Sequence, residues 1–567
     1  MKRRSVFHIL SAVGLLMLPL LPAAAYELYS PGDWEVERLQ ALYFRSGVVF
    51  PVASYPLDAR TLHGQAQALR RKAPTRELRG EIDWYIDRLA FKKEERFVDT
   101  RLDLAYQQFL RGAEAEFEEY YDFDRIAVEP PPLILLDLSA GEAGRSGTSI
   151  SGEIRRQYEP GSFPSSTMFE PEDASFFSFE NYFLTEGYFA CRFDTLLLLF
   201  GRMPVHYGPS AFSTALPSKR LPYMDALYCQ WYLGPLTMTA QISTVPNHAA
   251  EGEIEAMIGS GLDIDTTKLD ADGRLGDPDP AGNSYIAFDE TTVLVALHRF
   301  EWAFTKLRLG VSNMQIVSRP GNSFYIGDFF PVFSWHTAEL GMHNNSLVVE
   351  ADWNVFPSAE LFFQAAYDDI NAGELLGVGD YEIPTIYSYI GGLSYYLEGG
   401  ALRGVFSLEG GASHYLWGNF HEFDVERGNY LSRAIYRYKR DAGYIAMPMT
   451  SPHGPGARWI HVDIAMEEKA EKGRGLRAAL HGEFLWKNRE ASLISTSYEE
   501  HDDVRRSSLE FSLLLGLPLE YPLTERISAV AEPVFISRAS GSWAELSLGA
   551  AVEFGSRTIL EGREKNP

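Results

Sequence analysis

The sharpest chemistry in the sequence sits in one decapeptide, Phe200-Gly201-Arg202-Met203-Pro204-Val205-His206-Tyr207-Gly208-Pro209. The guanidinium of Arg202 is a planar fork that matches a carboxylate or a phosphate, and His206 and Tyr207 lie close by to add hydrogen bonds. A plainer reading is that glycine and proline shape a strand-to-turn corner while Arg202 pairs with an internal acid. A second set is aromatic. Trp335, Trp417 and Tyr436, with Tyr415, Tyr430 and Tyr438, fall in polar connecting segments. Such rings pack on the apolar faces of sugars while polar neighbours reach the hydroxyls; packing within the loops accounts for them equally well. Arg433, Arg437, Lys439 and Arg440 interleave with two of these tyrosines. They suit an acidic glycan or a lipid phosphate, or simply a strand end at the headgroups.

Other chemistries find no support. There is no Gly-x-Ser-x-Gly elbow, no His-Glu-x-x-His and no phosphate loop. The acidic stretch 251–290 contains Asp263, Asp265, Asp270 and Asp272, but Lys268 stands where a calcium loop needs its first ligand. The expectation is therefore no catalytic residue, no metal ligand and no cofactor. Two cysteines, Cys191 and Cys229, exclude a disulfide scaffold and can bond only if their strands are neighbours. The formal charge is −26, from 77 acids against 51 bases, which disfavours nucleic acid as a partner.

The elements that must carry these residues come in two textures. Residues 1–25 start with Lys2-Arg3-Arg4, continue apolar and end in Ala23-Ala24-Ala25, the pattern of a secretory signal peptide. Residues 26–130 read as a small module of amphipathic helices. One is expected after a cap at Asp33, one around Leu62, Ala66 and Leu69, one after Pro74-Thr75, and another from Arg101 to Glu119. From residue 131 onward the period is two. Leu347, Val349, Ala351, Trp353 and Val355 alternate with Val348, Glu350, Asp352 and Asn354. Pro357-Ser358 makes a turn, as does the Pro-containing stretch from Leu517 to Thr524, and Leu361, Phe363, Ala365 and Tyr367 resume the apolar row. The pattern returns at Ile460, Val462 and Ile464 against His461 and Asp463, and at Leu480, Phe484 and Trp486 against His481 and Glu483.

No run of 18 apolar residues follows residue 25, so a spanning helix is not expected. A secreted chain of apolar-out, polar-in strands with charges on the polar face reads as an outer-membrane barrel. A soluble sandwich core would not accept those charges unpaired. Aromatics near strand ends (Trp353, Phe356, Trp486, Phe554) suit interfacial girdles. The fold expected is mainly β: a transmembrane antiparallel β-barrel of about 18 strands, within a range of roughly 14–20. It spans 131–554, with a small N-terminal α-helical periplasmic module and a tail over 555–567. The stretch from Trp543 to Phe554 reads as the strand that barrel-insertion machinery recognises.

Three passages carry a family resemblance: Asp33-Trp34-Glu35-Val36-Glu37-Arg38-Leu39; the decapeptide with Leu216, Ser218 and Leu221-Pro222 after it; and Phe363-Gln364-Ala365-Ala366-Tyr367-Asp368-Asp369. In these the chain resembles the capsule assembly protein Wzi family. Tyr207 stands where the family typically has Trp, and Ser210 replaces the second glycine of the turn. The resemblance implies an approximately 18-stranded barrel with a periplasmic helical bundle, retaining or organising surface polysaccharide by binding rather than by chemistry. Its partners would be outer-membrane lipid and surface polysaccharide, with Arg202, His206, Tyr207, Trp335, Trp417 and Tyr436 as glycan contacts. The acidic balance favours a neutral polymer or one bridged by divalent ions. Two alternatives stay open, a porin-like, weakly cation-selective small-solute channel and an outer-membrane enzyme. Each places the chain in the cell outer membrane.

Overall fold

The computed structural model describes residues 28–89, 96–111, 134–142, 145–156, 179–210, 212–247, 291–320, 342–370, 384–419, 429–440, 443–468, 475–488, 490–493, 508–524, 526–538 and 541–560. The expected signal peptide and the last seven residues of the expected tail lie outside them.

Among the described residues the N-terminal module holds three helices. α1 is Trp34–Arg45, α2 is Ala59–Lys72 and α3 is Arg76–Arg88. α2 starts where the Asp58 carboxylate accepts from Thr61 N (3.0 Å), and α3 where Thr75 Oγ1 accepts from Leu78 N (3.2 Å). Asp33 stands at the N-cap position of α1 but bonds Ser30 N instead (2.6 Å). The apolar stripes, with Val36, Leu39, Leu62, Ala66, Leu69 and Ile82, close on one another as a small core.

Eighteen antiparallel strands close into one barrel. The first five are β1 Arg96–Arg111, β2 Ile134–Glu142, β3 Ser146–Arg156, β4 Phe179–Phe193 and β5 Leu196–Met203. Next come β6 Met224–Leu233, β7 Leu236–Val245, β8 Thr291–Ala303, β9 Leu307–Pro320, β10 Met342–Phe356 and β11 Ala359–Asp369. The circuit continues through β12 Ile386–Gly399, β13 Leu402–Ser413, β14 Ala457–Glu468 and β15 Arg477–Asn488. β16 is Leu509–Gly516 continued by Leu519–Pro522, both parts pairing the same two neighbours; β17 is Ile527–Arg538 and β18 Gly541–Leu560. β18 pairs with β1 and closes the ring. Closure leaves no sheet edge in lipid, where an unpaired amide is costly.

Three boundaries differ from the sequence reading. The barrel begins at Arg96, not at 131, because 96–111 is a strand where a helix was expected from Arg101. Leu102 and Leu104 alternate with Arg101 and Asp103, and the strand's partner is the far end of the chain. The last strand continues past Phe554 to Leu560. Leu519–Pro522, read as part of a turn, is strand; the break falls at Leu517-Pro518, where proline cannot donate to the ladder.

The apolar rows face outward. Phe200, Trp353, Phe356, Phe363, Ile460 and Phe511 are each two-fifths exposed or more, while Glu350, Asp352 and Glu483 on the alternate positions are buried. That inversion of an ordinary core is what lipid on the outside requires. Short turns at 194–195, 234–235, 304–306, 357–358 and 400–401 gather at one end, and short turns mark the periplasmic end. The helical module docks there: Val49 N donates to Thr305 O (3.0 Å), Ser358 N to Phe44 O (2.8 Å), and Arg192 pairs with Asp58 (3.2 Å). Cys191 and Cys229 both register against Leu198, on opposite sides of β5. Two strand spacings, about 9–10 Å, separate them, which is too far for a disulfide, and both are free.

Candidate functional site

The bore is filled. From the periplasmic end, the module sends residues 50–55 up into the barrel. From the other end, the segment 204–223 between β5 and β6 turns inward, and its His206-Tyr207 pairs with Ser54-Tyr55. Above it lie residues 414–419, 429–440 and 443–456 between β13 and β14, with Ser451 N donating to Thr214 O (2.9 Å). Val205, Tyr207, Leu216, Leu221, Trp417, Leu431, Ile435 and Met447 form one buried apolar cluster with lumen-facing strand residues.

A fully buried charge network pins this filling to the wall. Arg299 on β8 reaches Glu350 on β10 (Nη1 to Oε2, 2.9 Å), Ser54 Oγ (2.9 Å), Ser312 Oγ (3.0 Å) and Glu301 (3.2 Å). Glu301 in turn accepts from Ala53 N (2.7 Å) and from the Ser54 hydroxyl. Gln364 on β11 donates to Glu350 (3.2 Å) and accepts from Ala215 N (2.7 Å). One set of side chains thus holds three layers: wall, module and inward segment. Arg308 adds an ion pair to Asp352 and a hydrogen bond to Phe50 O (3.4 Å). Gly208 sits at φ +129°, and a Cβ there would lie 2.9 Å from Thr214 Oγ1, so glycine is required where the inward segment turns.

The sequence-derived candidates separate. Arg202 is not in the bore. It lies on the outward row of β5, where Asp225 on β6 takes it bidentately (2.8 and 2.9 Å) and its guanidinium covers the Tyr223 ring at 3.8 Å. The partner acid is thus at the outer rim rather than in the lumen. Tyr436 meets this group from within, donating its hydroxyl to Tyr223 O, but is itself buried. Tyr207 is fully buried and bonds Gln241. Trp417 is buried with its Nε1 on Thr450 Oγ1 (3.1 Å). His206 is fully buried, accepts from Lys219 N (3.5 Å) and meets the Tyr55 ring edge-on. Burial pulls its pKa down to about 3, helped by the Lys219 charge, so the imidazole is neutral. In this conformation a sugar reaches none of these four, because the polar-looking loops that carry them fold inward around their own apolar residues. Trp335 lies outside the described residues.

The structure also assembles residues that no motif announced. Glu409 on β13 accepts the hydroxyls of Ser210 and Ser213, fixing the inward segment on its other side. On β14 and β15, where the sequence suggested no metal ligand, ligand atoms of His461, Asp463 and His481 come within 4.8 Å of one another. Below them a cavity of about 430 Å³ separates α1 from the wall, lined by Glu37, Tyr396, Arg403, Met466 and Arg477 among others. The strand pattern had put His461, Asp463 and His481 on the polar face; only the register puts them together.

No protein-family model matches the chain, and no curated protein matches it significantly. Among solved structures it is similar to Wzi of Escherichia coli, described as an outer-membrane protein involved in group 1 capsule assembly and a carbohydrate-binding β-barrel. The TM-score is 0.56 at 12% identity, covering 94% of this chain and 99% of that one. A BenF-like porin of Pseudomonas fluorescens (TM-score 0.42, 9% identity, 81% and 99% covered) and OpdK of Pseudomonas aeruginosa (0.37, 11%, 82% and 100%) align more loosely. At such identities the likeness is one of fold. The chain is an outer-membrane β-barrel with the Wzi architecture, and among the described residues its own polypeptide packs into the bore.

Proposed function

We propose that the protein binds or organises surface polysaccharide, in capsule or exopolysaccharide attachment or assembly, without catalysing a reaction. One observation carries the reading: module, the inward segment between β5 and β6, and wall are locked together inside the barrel by Arg299, Glu301, Glu350 and Gln364. A barrel whose bore is occupied in this way has its loops, not a pore, as the working surface. The likeness in fold to a carbohydrate-binding barrel supports the same reading. The formal charge of −26 favours a neutral polymer, or an acidic one bridged by divalent ions. Recognition of the final strand, with Trp543 and Phe554, by barrel-insertion machinery belongs to this proposal too.

Two measurements test it. Detergent-solubilised protein on a glycan array is expected to retain a polysaccharide and to lose it on Trp335→Ala. In planar bilayers the same protein is expected to be silent. Open, cation-selective steps together with an empty array would replace this reading with the channel.

A further inference from the structure

Two neighbouring strands carry the same short pattern on their lumen side. β14 holds His461-Val462-Asp463 and β15 holds His481-Gly482-Glu483. Residues two apart on a strand point to one face. The antiparallel register sets His461 opposite Glu483 and Asp463 opposite His481. Imidazoles and carboxylates therefore alternate at the corners of a square. The ligand atoms of His461, Asp463 and His481 lie within 4.8 Å of one another, and side-chain rotation closes that spread to the roughly 3–4 Å of atoms sharing one ion.

A second observation points to a ligand. The cluster holds buried polar atoms that the surrounding protein leaves without a hydrogen bond. His461 and Glu483 are nine-tenths buried or more, yet His461 Nδ1 and Glu483 Oε1 have no hydrogen-bond partner among the described residues. Asp463 Oδ1 pairs with His481 Nδ1. His453, from the segment above, brings a further imidazole to 3.3 Å from Glu483, without the alignment of a hydrogen bond. Two cations border the cluster: Lys219, whose Nζ donates to Pro31 O (2.9 Å), and Arg220, whose guanidinium lies over the Phe212 ring at 4.7 Å and whose charge acts on Glu483. Phe212 stacks flat on His461 at 3.5 Å between ring centres, which fixes the imidazole and covers it.

We infer that His461, Asp463 and His481 bind a divalent transition-metal ion of the zinc type, with Glu483 beside them as a fourth ligand. Imidazole nitrogen with carboxylate oxygen suits zinc, cobalt or nickel, whereas calcium and magnesium take oxygen alone. The ion would join β14 to β15 beneath Phe212 of the inward segment. The inference is independent of the polysaccharide reading.

The test uses the full chain without a histidine tag, purified in detergent and stripped with EDTA. Titration with Co²⁺ is expected to give visible ligand-field bands that saturate at one equivalent and disappear on adding Zn²⁺. His461→Gln and His481→Gln are each expected to weaken Zn²⁺ binding by roughly 10–100-fold or more. His63→Gln, on α2, is expected to change nothing. Heat-modifiable gel migration scores each variant as a folded barrel; if either histidine variant fails it, the near-isosteric Asp463→Asn carries the same expectation. Absence of stoichiometric binding, equal binding by the histidine variants, or equal preference for Ca²⁺ would overturn the inference and leave a histidine–aspartate ion pair.

Discussion

Two polar clusters line the same bore and differ in how they are satisfied. Around Arg299, every guanidinium nitrogen and every oxygen of Glu301 and Glu350 is engaged, by one another or by Ser54, Ala53, Ser312 and Gln364. Around His461, imidazoles face carboxylates, and buried atoms of His461, His453 and Glu483 go unbonded. An arginine is always a donor, so acids placed around it close into a finished network. A neutral histidine offers a lone pair as readily as a proton, so acids placed around it leave room for a cation. The first cluster is a fastening; the second has the composition of a binding site.

The comparison breaks most visibly at the fastening. Glu350→Ala leaves Arg299 buried without its carboxylate and is expected to cost about 3–5 kcal/mol. The melting temperature in detergent should fall, and bilayer recordings should show openings that the wild type lacks.

Acid should loosen the filling without touching the fastening. His206 and His453 are held neutral by burial, with pKa values lowered to about 3 and about 4. The unfolded chain takes up these protons first, near the ordinary histidine value of 6.5. Stability from both groups is therefore complete above about pH 6.5 and is lost as pH falls toward 4, by up to a few kcal/mol. Protease cleavage within 204–223 should rise over that window, and His206→Leu should flatten the rise.

Smaller effects follow at the turn and the rim. Gly208→Ala meets both a positive φ and the Thr214 hydroxyl, and is expected to cost about 1–3 kcal/mol, read from denaturant midpoints. Arg202→Ala removes a part-exposed pair and is expected to cost no more than about 1 kcal/mol. A larger loss at Arg202 would mean that the outer rim helps to hold the filling.

Much of the wall was legible from alternation alone. The rows through Leu347 to Val355, Leu361 to Tyr367 and Leu480 to Trp486 face outward as their period required, because a strand has only two faces and lipid accepts only one kind. β1 was missed because its charges, Arg101 and Asp103, resemble a solvated helix until the distant β18 is laid beside it. The aromatic candidates were misplaced for a related reason. A polar loop reads the same whether it extends into solvent or turns back into a barrel, and for Tyr207, Trp417 and Tyr436 the choice was made by burial with partners far away in sequence.

Sequence by itself determined which side chains of each strand share a face, since that follows from local backbone geometry. The closing of the ring, the filling of its bore, and the meeting of His461 with Glu483 and Asp463 with His481 were decided only by tertiary structure. Those depend on register between strands, and a shift of two residues would keep every face the same while moving every cross-strand partner.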